Sequence, residues 1–353
     1  MLKISFDRLF KPICFIFLPI LVFLAFFLVY NNPSSIYAQE NTGEVNIASL
    51  PQENTSPPQP AVDQGERIMR ALALAYPDRI SNLQFRRQNE DDPGDWAFQI
   101  DGRWLYYAEG RILPEDRRHR VSEYRAMGFN SNYRTELPSW ESGAEQRATR
   151  TRNYEESLTR VAQPRPPATE PRPPSPTRAN YIFEAIWRGS SRAESWNQQV
   201  NISFLGFQFP VHSGLAYIMG RIEEIIIAES RTNQTVRQWI SSLGSIAAWN
   251  WRNVASSGNR SFHSYGIAVD ILPRNQGGLA IYWMWSAQHD PLWWNIPYSR
   301  RWHPPDPVIE AFESHGFIWG GRWGNFDTMH FEYRPEAFVL SNIPLAFSRL
   351  DIP

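Results

Sequence analysis

Two short segments of this chain carry residue types that can hold a metal ion and move a proton. The first is Ser261-Phe262-His263-Ser264-Tyr265-Gly266-Ile267-Ala268-Val269-Asp270, with a His and an Asp seven apart. The second, about sixty residues on, is Asp327-Thr328-Met329-His330-Phe331-Glu332. Strand alternation puts Ala268 and Asp270 on one face, opposite Ile267, Val269 and Ile271. An acid on a strand whose other face is wholly aliphatic is costly to bury without a partner. His263 arrives from the loop just before, where Gly266 permits a tight turn. In the second segment Met329, Phe331 and Tyr333 share one face, and His330 and Glu332 share the other. If the two strands pair, His263, Asp270 and His330 converge on one ion. Two imidazoles and one carboxylate, with a fourth position left for water, form a catalytic zinc arrangement. Spacing alone equally admits unrelated polar residues, a satisfied histidine in one place and a surface acid in the other.

The elements that must position these groups are legible around them. Leu215, Ile218, Met219, Ile222, Ile225 and Ile226 mark one helical face, with Ser213 as its N-cap. A second helix is expected over Thr235 to Leu243, and strands over Ser245 to Trp251, Ile267 to Ile271 and Met329 to Tyr333. Asp306-Pro307 opens a helix that Gly316 closes, with Asp306 as cap. The segment from Tyr282 to Trp302 is dense in aromatics, which are expected chiefly to fill core. His212, His289, His303 and His315 read as structural or surface residues.

At 353 residues the chain is long enough for one or two domains plus extensions. With 35 Lys plus Arg against 36 Asp plus Glu, it lacks the cationic excess that nucleic-acid binding needs. Its single cysteine, Cys14, excludes disulfides and leaves any metal to histidines and carboxylates. Lys3, Arg8 and Lys11 precede an apolar run of 18 residues, Ile13 to Tyr30. That layout predicts a signal peptide or membrane anchor over residues 1–38, and export of the rest to the cell envelope, in the periplasm or at the outer face of the inner membrane. Residues 39–63 read as a flexible linker, and residues 164–178, with seven prolines, as a polyproline spacer. Between them, residues 64–163 read as a small α+β module. In it, Ile68, Met69, Leu72 and Tyr76 recur at helical spacing, and Asp101-Gly102-Arg103 sits between two strands. His119, among Arg117, Arg118 and Arg120, reads as part of a solvated basic loop.

The pattern Ser-x-His-x-x-Gly-x-Ala-x-Asp, then Gly316-Phe317-Ile318-Trp319-Gly320-Gly321-Arg322-Trp323, then Asp327 to Glu332, resembles the zinc D-alanyl-D-alanine carboxypeptidase family. The likeness is strongest to its L-alanyl-D-glutamate endopeptidase branch. It runs from about Asn201 to Glu336 and does not touch residues 40–178. It implies a hedgehog/DD-peptidase-like α+β domain over 179–353, a small antiparallel sheet with flanking helices. It further implies Zn²⁺ held by His263, Asp270 and His330, and Asp327 as the general base. Physically, a carboxylate beside a metal-bound water can take its proton during attack and pass it to the leaving amine. Many relatives have Glu where this chain has Asp327, a change that bears on specificity. Glu332 is the rival base, read instead as an outer partner of the metal histidines. Arg252 matches an arginine suited to a substrate carboxylate or a developing oxyanion, with Arg260 as its competitor. Ser261 is expected to position substrate or tie down the loop.

The expected activity is hydrolysis of peptidoglycan stem peptides by a monomeric exported enzyme, membrane-attached if its N-terminal segment is uncleaved. D-alanyl-D-alanine carboxypeptidase activity is the alternative within the same mechanism. A catalytically silent, zinc-containing wall-binding module is the alternative of another class, and a scaffold working through residues 65–163 a third.

Overall fold

The computed structural model describes residues 64–87, 89–129, 133–136, 143–161, 176–254 and 257–346. The signal or anchor expected over 1–38, the linker over 39–63 and most of the Pro-rich linker lie outside the described residues. Among the described residues no helix is long and apolar enough to cross a membrane.

Helix α1 (Gln64–Ala75) buries Ile68, Met69 and Leu72, the stripe its spacing predicts. Strands β1 (Ser81–Arg86), β2 (Asp95–Ile100), β3 (Arg103–Ala108) and β4 (Arg111–Pro114) follow as an antiparallel meander. Asp101 and Gly102 close β2 onto β3 with φ of +48° and +76°, the left-handed pair that suits strand twist in a two-residue turn. The basic segment after β4 is a 3₁₀ run, Glu115–Glu123. Contrary to the expected solvated loop, Arg118 is held by Asp92 at 2.7 Å and Asp95 at 2.5 Å. Strand β5 (Tyr124–Arg125) pairs in parallel with β6 (Thr177–Arg178), and helix α2 (Ala144–Val161) lies between them in sequence.

Short helices α3 (Tyr181–Ile186) and α4 (Arg192–Trp196) lead to the hairpin β7 (Gln199–Phe204) and β8 (Phe207–His212). Helices α5 (Ala216–Ser230) and α6 (Gln234–Ser242) come next, then β9 (Leu243–Ala247), β10 (Ala268–Pro273), α7 (Trp283–Ser286), α8 (Asp306–Glu313), β11 (Phe317–Trp319), β12 (His330–Tyr333) and α9 (Pro335–Leu340). The sheet that carries the chemistry has the order β11-β12-β10-β9 and is antiparallel throughout. The class is α+β.

Several local expectations shift. A 3₁₀ turn over Ser213–Leu215 precedes α5, and its cap is His212, whose Nδ1 accepts from the Gly214 N–H at 3.0 Å. Ile225 is 39% exposed because it lies at the edge of the α5 stripe that Ile218, Ile222 and Ile226 define. Pro305 holds the cap position of α8, so Asp306 serves in the first turn, where its charge favours the helix dipole. Strand β9 ends at Ala247, and the next residues leave the sheet for the site.

One apolar core runs through both halves of the chain, joining Ile68, Leu72 and Phe98 to Phe183, Ile218 and Phe312. Helix α1 packs on α9, where the buried Tyr76 hydroxyl donates to Glu336 at 2.7 Å. The aromatic segment is largely core as expected, with Trp293, Trp294 and Trp302 buried.

Candidate metal centre

The register of β10 against β12 sets Asp270 opposite His330 and Ala268 opposite Glu332. Directly opposed residues on one face of an antiparallel pair bring their side chains into contact. His263 enters from a 3₁₀ turn, Phe262–Tyr265, that is built to drop into β10. The Ser261 hydroxyl caps it by accepting from the His263 N–H at 3.3 Å. Gly266 ends it with φ +71°, and a Cβ there would stand 2.0 Å from Gln199 Oε1 and 2.9 Å from the His212 N. No other residue fits that position without moving the hairpin behind it.

The three side chains meet. Asp270 Oδ1 lies 2.8 Å from His330 Nδ1, and Asp270 Oδ2 lies 3.1 Å from His263 Nε2. One ligand atom from each residue falls within 4.8 Å of the others. Tetrahedral zinc with bonds near 2.0–2.1 Å sets its ligand atoms about 3.3 Å apart, so the separations suit it. His263 Nε2 is buried and makes no hydrogen bond of proper geometry, an orphan that a cation would satisfy. The far nitrogen of each ring is already held. His263 Nδ1 lies 2.5 Å from the Ala248 carbonyl, an acceptor only, so Nδ1 carries the proton and Nε2 is left as ligand. His330 Nε2 lies 3.2 Å from Glu332 Oε2, which leaves Nδ1 facing Asp270. Imidazoles oriented by a carbonyl and a carboxylate are what metal ligation requires. The group fits zinc.

Electrostatics agree. Burial pushes the Asp270 carboxyl up, but His263 and His330 reverse this and hold it well below the usual carboxylate range. Burial opposes charge on His330, yet hydrogen bonds to Asp270 and Glu332 raise its pKa well above the ordinary imidazole value. The metal-free chain therefore favours a proton on His330, which a metal must displace. Below the raised pKa, zinc affinity is expected to climb about tenfold per pH unit as that proton becomes easier to remove. Chelator competition between pH 6 and 8 measures this, and a flat profile would take His330 out of the ligand set.

Asp327 and Glu332 stand outside the three-residue group. Glu332 is pushed up by burial but drawn below its ordinary value overall by His330 and Arg334. Asp327 is pushed up to about 7, first by burial; His330 and Arg252 pull it down, while Asp270 and Glu332 add to the rise. Its Oδ1 is buried with no hydrogen-bond partner among the described residues. The turn that presents it is clamped on all sides. The Asp327 N–H donates to the Gly320 carbonyl at 3.0 Å, Trp319 Nε1 donates to the Thr328 carbonyl at 2.9 Å, and Thr328 Oγ1 donates to Ile281 at 3.0 Å. A Cβ on Gly320 would stand 2.5 Å from the Asp327 carbonyl, and one on Gly321 2.1 Å from the Trp319 ring. The two glycines let the motif close around Asp327.

Arg252 is tied by its backbone: its N–H donates to Ser264 Oγ at 3.0 Å, and its carbonyl accepts from the Ser261 N–H at 3.0 Å. Among the described residues no hydrogen bond holds its guanidinium, whose charge reaches Asp327. The competitor Arg260 stacks 3.8 Å over the Trp251 ring, and its Nε and Nη1 are buried without a hydrogen-bond partner among the described residues. Ser261 is 3% exposed and occupied as a cap, so it ties down the loop.

The sequence reading did not include several supporting groups. The Ala248 carbonyl fixes His263. Glu313, buried, accepts both prongs of Arg322 at 2.6 and 2.8 Å and the Tyr133 hydroxyl, which in turn accepts from the Trp319 N–H at 2.9 Å. Arg334 and Glu336 continue the charged face beyond Glu332, and Glu332-Tyr333-Arg334-Pro335-Glu336 shows an every-other spacing that could have flagged them.

Residues 255–333 match a family model described as D-alanyl-D-alanine carboxypeptidase, and residues 68–129 match one described as a domain of unknown function. No curated protein and no solved structure matches the chain. The first match contains His263, Asp270, Asp327, His330 and Glu332, and supports a peptidase with a His-Asp-His group able to hold a metal.

Proposed function

We propose that this chain is an exported zinc peptidase that hydrolyses peptidoglycan stem peptides, with L-alanyl-D-glutamate endopeptidase activity or one close to it. The observation that carries the reading is the His263-Asp270-His330 group with Asp327 beside it, whose buried Oδ1 has no hydrogen-bond partner among the described residues, inside the segment that matches the peptidase family. Bound by those three residues, zinc supplies Lewis acidity for the scissile carbonyl and lowers the pKa of water. Asp327, with its pKa near neutrality and a bare Oδ1, accepts a proton from the attacking water and returns it to the leaving amine. Arg252, whose guanidinium makes no hydrogen bond among the described residues, meets the negative charge that develops on the carbonyl oxygen or a substrate carboxylate. Glu332 keeps the His330 ring oriented.

The description of the matching family favours a second reading, D-alanyl-D-alanine carboxypeptidase. Incubating the full chain with purified peptidoglycan and zinc, followed by mass analysis, separates the two. Peptides beginning at D-glutamate are expected for the endopeptidase, and free D-alanine for the carboxypeptidase. Zinc-loaded protein that binds the wall but releases nothing would overturn both in favour of a silent binding module. Export rests on the basic-then-apolar start: a reporter active only outside the cytoplasm, fused after Asp63, should be active. Activity instead from a reporter restricted to the cytoplasm would refute it.

A further inference from the structure

A line of buried hydrogen bonds runs from the metal centre into the segment matched only to a domain of unknown function. His330 Nε2 lies 3.2 Å from Glu332 Oε2, and Arg334 donates to the other oxygen, Glu332 Oε1, at 3.2 Å. The same guanidinium donates through Nε to Glu336 Oε1, and Glu336 Oε2 accepts from the Tyr76 hydroxyl at 2.7 Å. Tyr76 and Glu336 are fully buried, and Glu332 is 6% exposed. Both oxygens of Glu332 and both of Glu336 are therefore committed, one toward the metal centre and one away from it.

We infer that Tyr76, which follows α1 and precedes all three metal ligands in sequence, is a positioning residue for the metal site. The inference rests on the zinc reading of His263, Asp270 and His330. Arg334 is shared between two buried carboxylates, with its guanidinium 5.1 Å from the Phe183 ring and 4.8 Å from the Phe262 ring. Its position is thus a balance of Glu332 against Glu336. The Tyr76 hydroxyl occupies one oxygen of Glu336 and leaves that carboxylate a single oxygen for Arg334. Without it, Glu336 is left with a bare buried oxygen that must find a donor, and the guanidinium already bound to its other oxygen can supply one. Arg334 then turns toward Glu336, Glu332 loses the hydrogen bond that fixes its Oε1, and the hold on His330 Nε2 loosens. Residue Tyr76 touches neither metal nor substrate. It sets the orientation of a ligand through three intermediaries.

The experiment compares zinc dissociation constants by chelator competition on the full chain, for the unmodified protein, Tyr76→Phe and Ile100→Val. Ile100 is buried in the same core, so its truncation destabilises the module without touching the hydrogen-bonded line. Loss of an immediate outer partner of a metal ligand weakens binding about 10–100-fold; from its more distant place Tyr76→Phe should weaken zinc about three- to tenfold. Ile100→Val should bind as the unmodified chain does. Cobalt(II) absorption, taken alongside, should shift in band position for Tyr76→Phe alone, because it reports ligand geometry rather than stability. Equal affinity and spectrum for Tyr76→Phe and the unmodified chain would overturn the inference, as would an equal loss in both variants. An unmodified chain that holds no zinc would overturn the metal reading itself.

Discussion

Asp327→Asn lowers turnover of a stem peptide by about 10²-fold or more, the scale of a positioned general base, while zinc content stays at one per chain. The expectation follows from where the carboxylate sits. Asp327 is excluded from the group whose ligand atoms crowd within 4.8 Å, yet its Oδ1 is buried and free of hydrogen bonds among the described residues. Asparagine preserves its size and the clamped turn around it, and removes only the capacity to take a proton. Glu332→Gln, by contrast, keeps an acceptor for His330 and loses the charge that faces Arg334, so it should act mainly on metal affinity and much less on rate. Metal analysis beside steady-state turnover for both variants decides the matter. Near-normal turnover by the asparagine variant would remove Asp327 from the mechanism, and a collapse confined to Glu332→Gln would name Glu332 as the base.

His330→Ala is expected to abolish zinc retention and activity together. It also destabilises the metal-free fold, by about 1–3 kcal/mol, because the ring bridges the half-buried Asp270 carboxylate and the buried Glu332 carboxylate. Asp270 Oδ1 at 2.8 Å and Glu332 Oε2 at 3.2 Å would both lose their partner at once. Thermal melting of the metal-free variant, with metal content after dialysis against zinc, tests both halves. An unchanged midpoint would mean that the two carboxylates do not depend on this ring, and retained zinc would dismantle the ligand assignment.

The metal group was legible because its logic is local. Alternation along two strands put Asp270 and His330 on matching faces, and a single pairing, the observed register of Asp270 on His330, did the rest. Gly266 was visible as a turn signal and the Gly320-Gly321 pair only as part of the family motif, and the structure shows what each makes room for. What stayed hidden is what depends on packing between distant elements. Nothing near Ala248 marks its carbonyl as the partner of His263, since every residue has one. Nothing near Tyr76 announces a hydroxyl aimed at a carboxylate 260 residues away. Cap residues went astray for a different reason: Ser213 and Asp306 have the right chemistry, but Ser213 opens a 3₁₀ turn capped by His212 ahead of α5, and α8 is entered one residue earlier, at Pro305.

The continuous core also decides where this protein can be cut for expression or transplanted into another. The matched stretch, residues 255–333, is a recognisable signature and an unworkable fragment. It lacks strand β9, the carbonyl that orients His263, and the α5 stripe on which α8 rests. A cut at residue 179 fares little better. It would strip α1 from α9 and leave Glu336, now buried against Tyr76, with Arg334 as its remaining partner on a freshly exposed apolar surface. The smallest portable unit therefore includes the upstream module, and a shuffling library should draw its crossovers before residue 64 rather than at the edge of the signature.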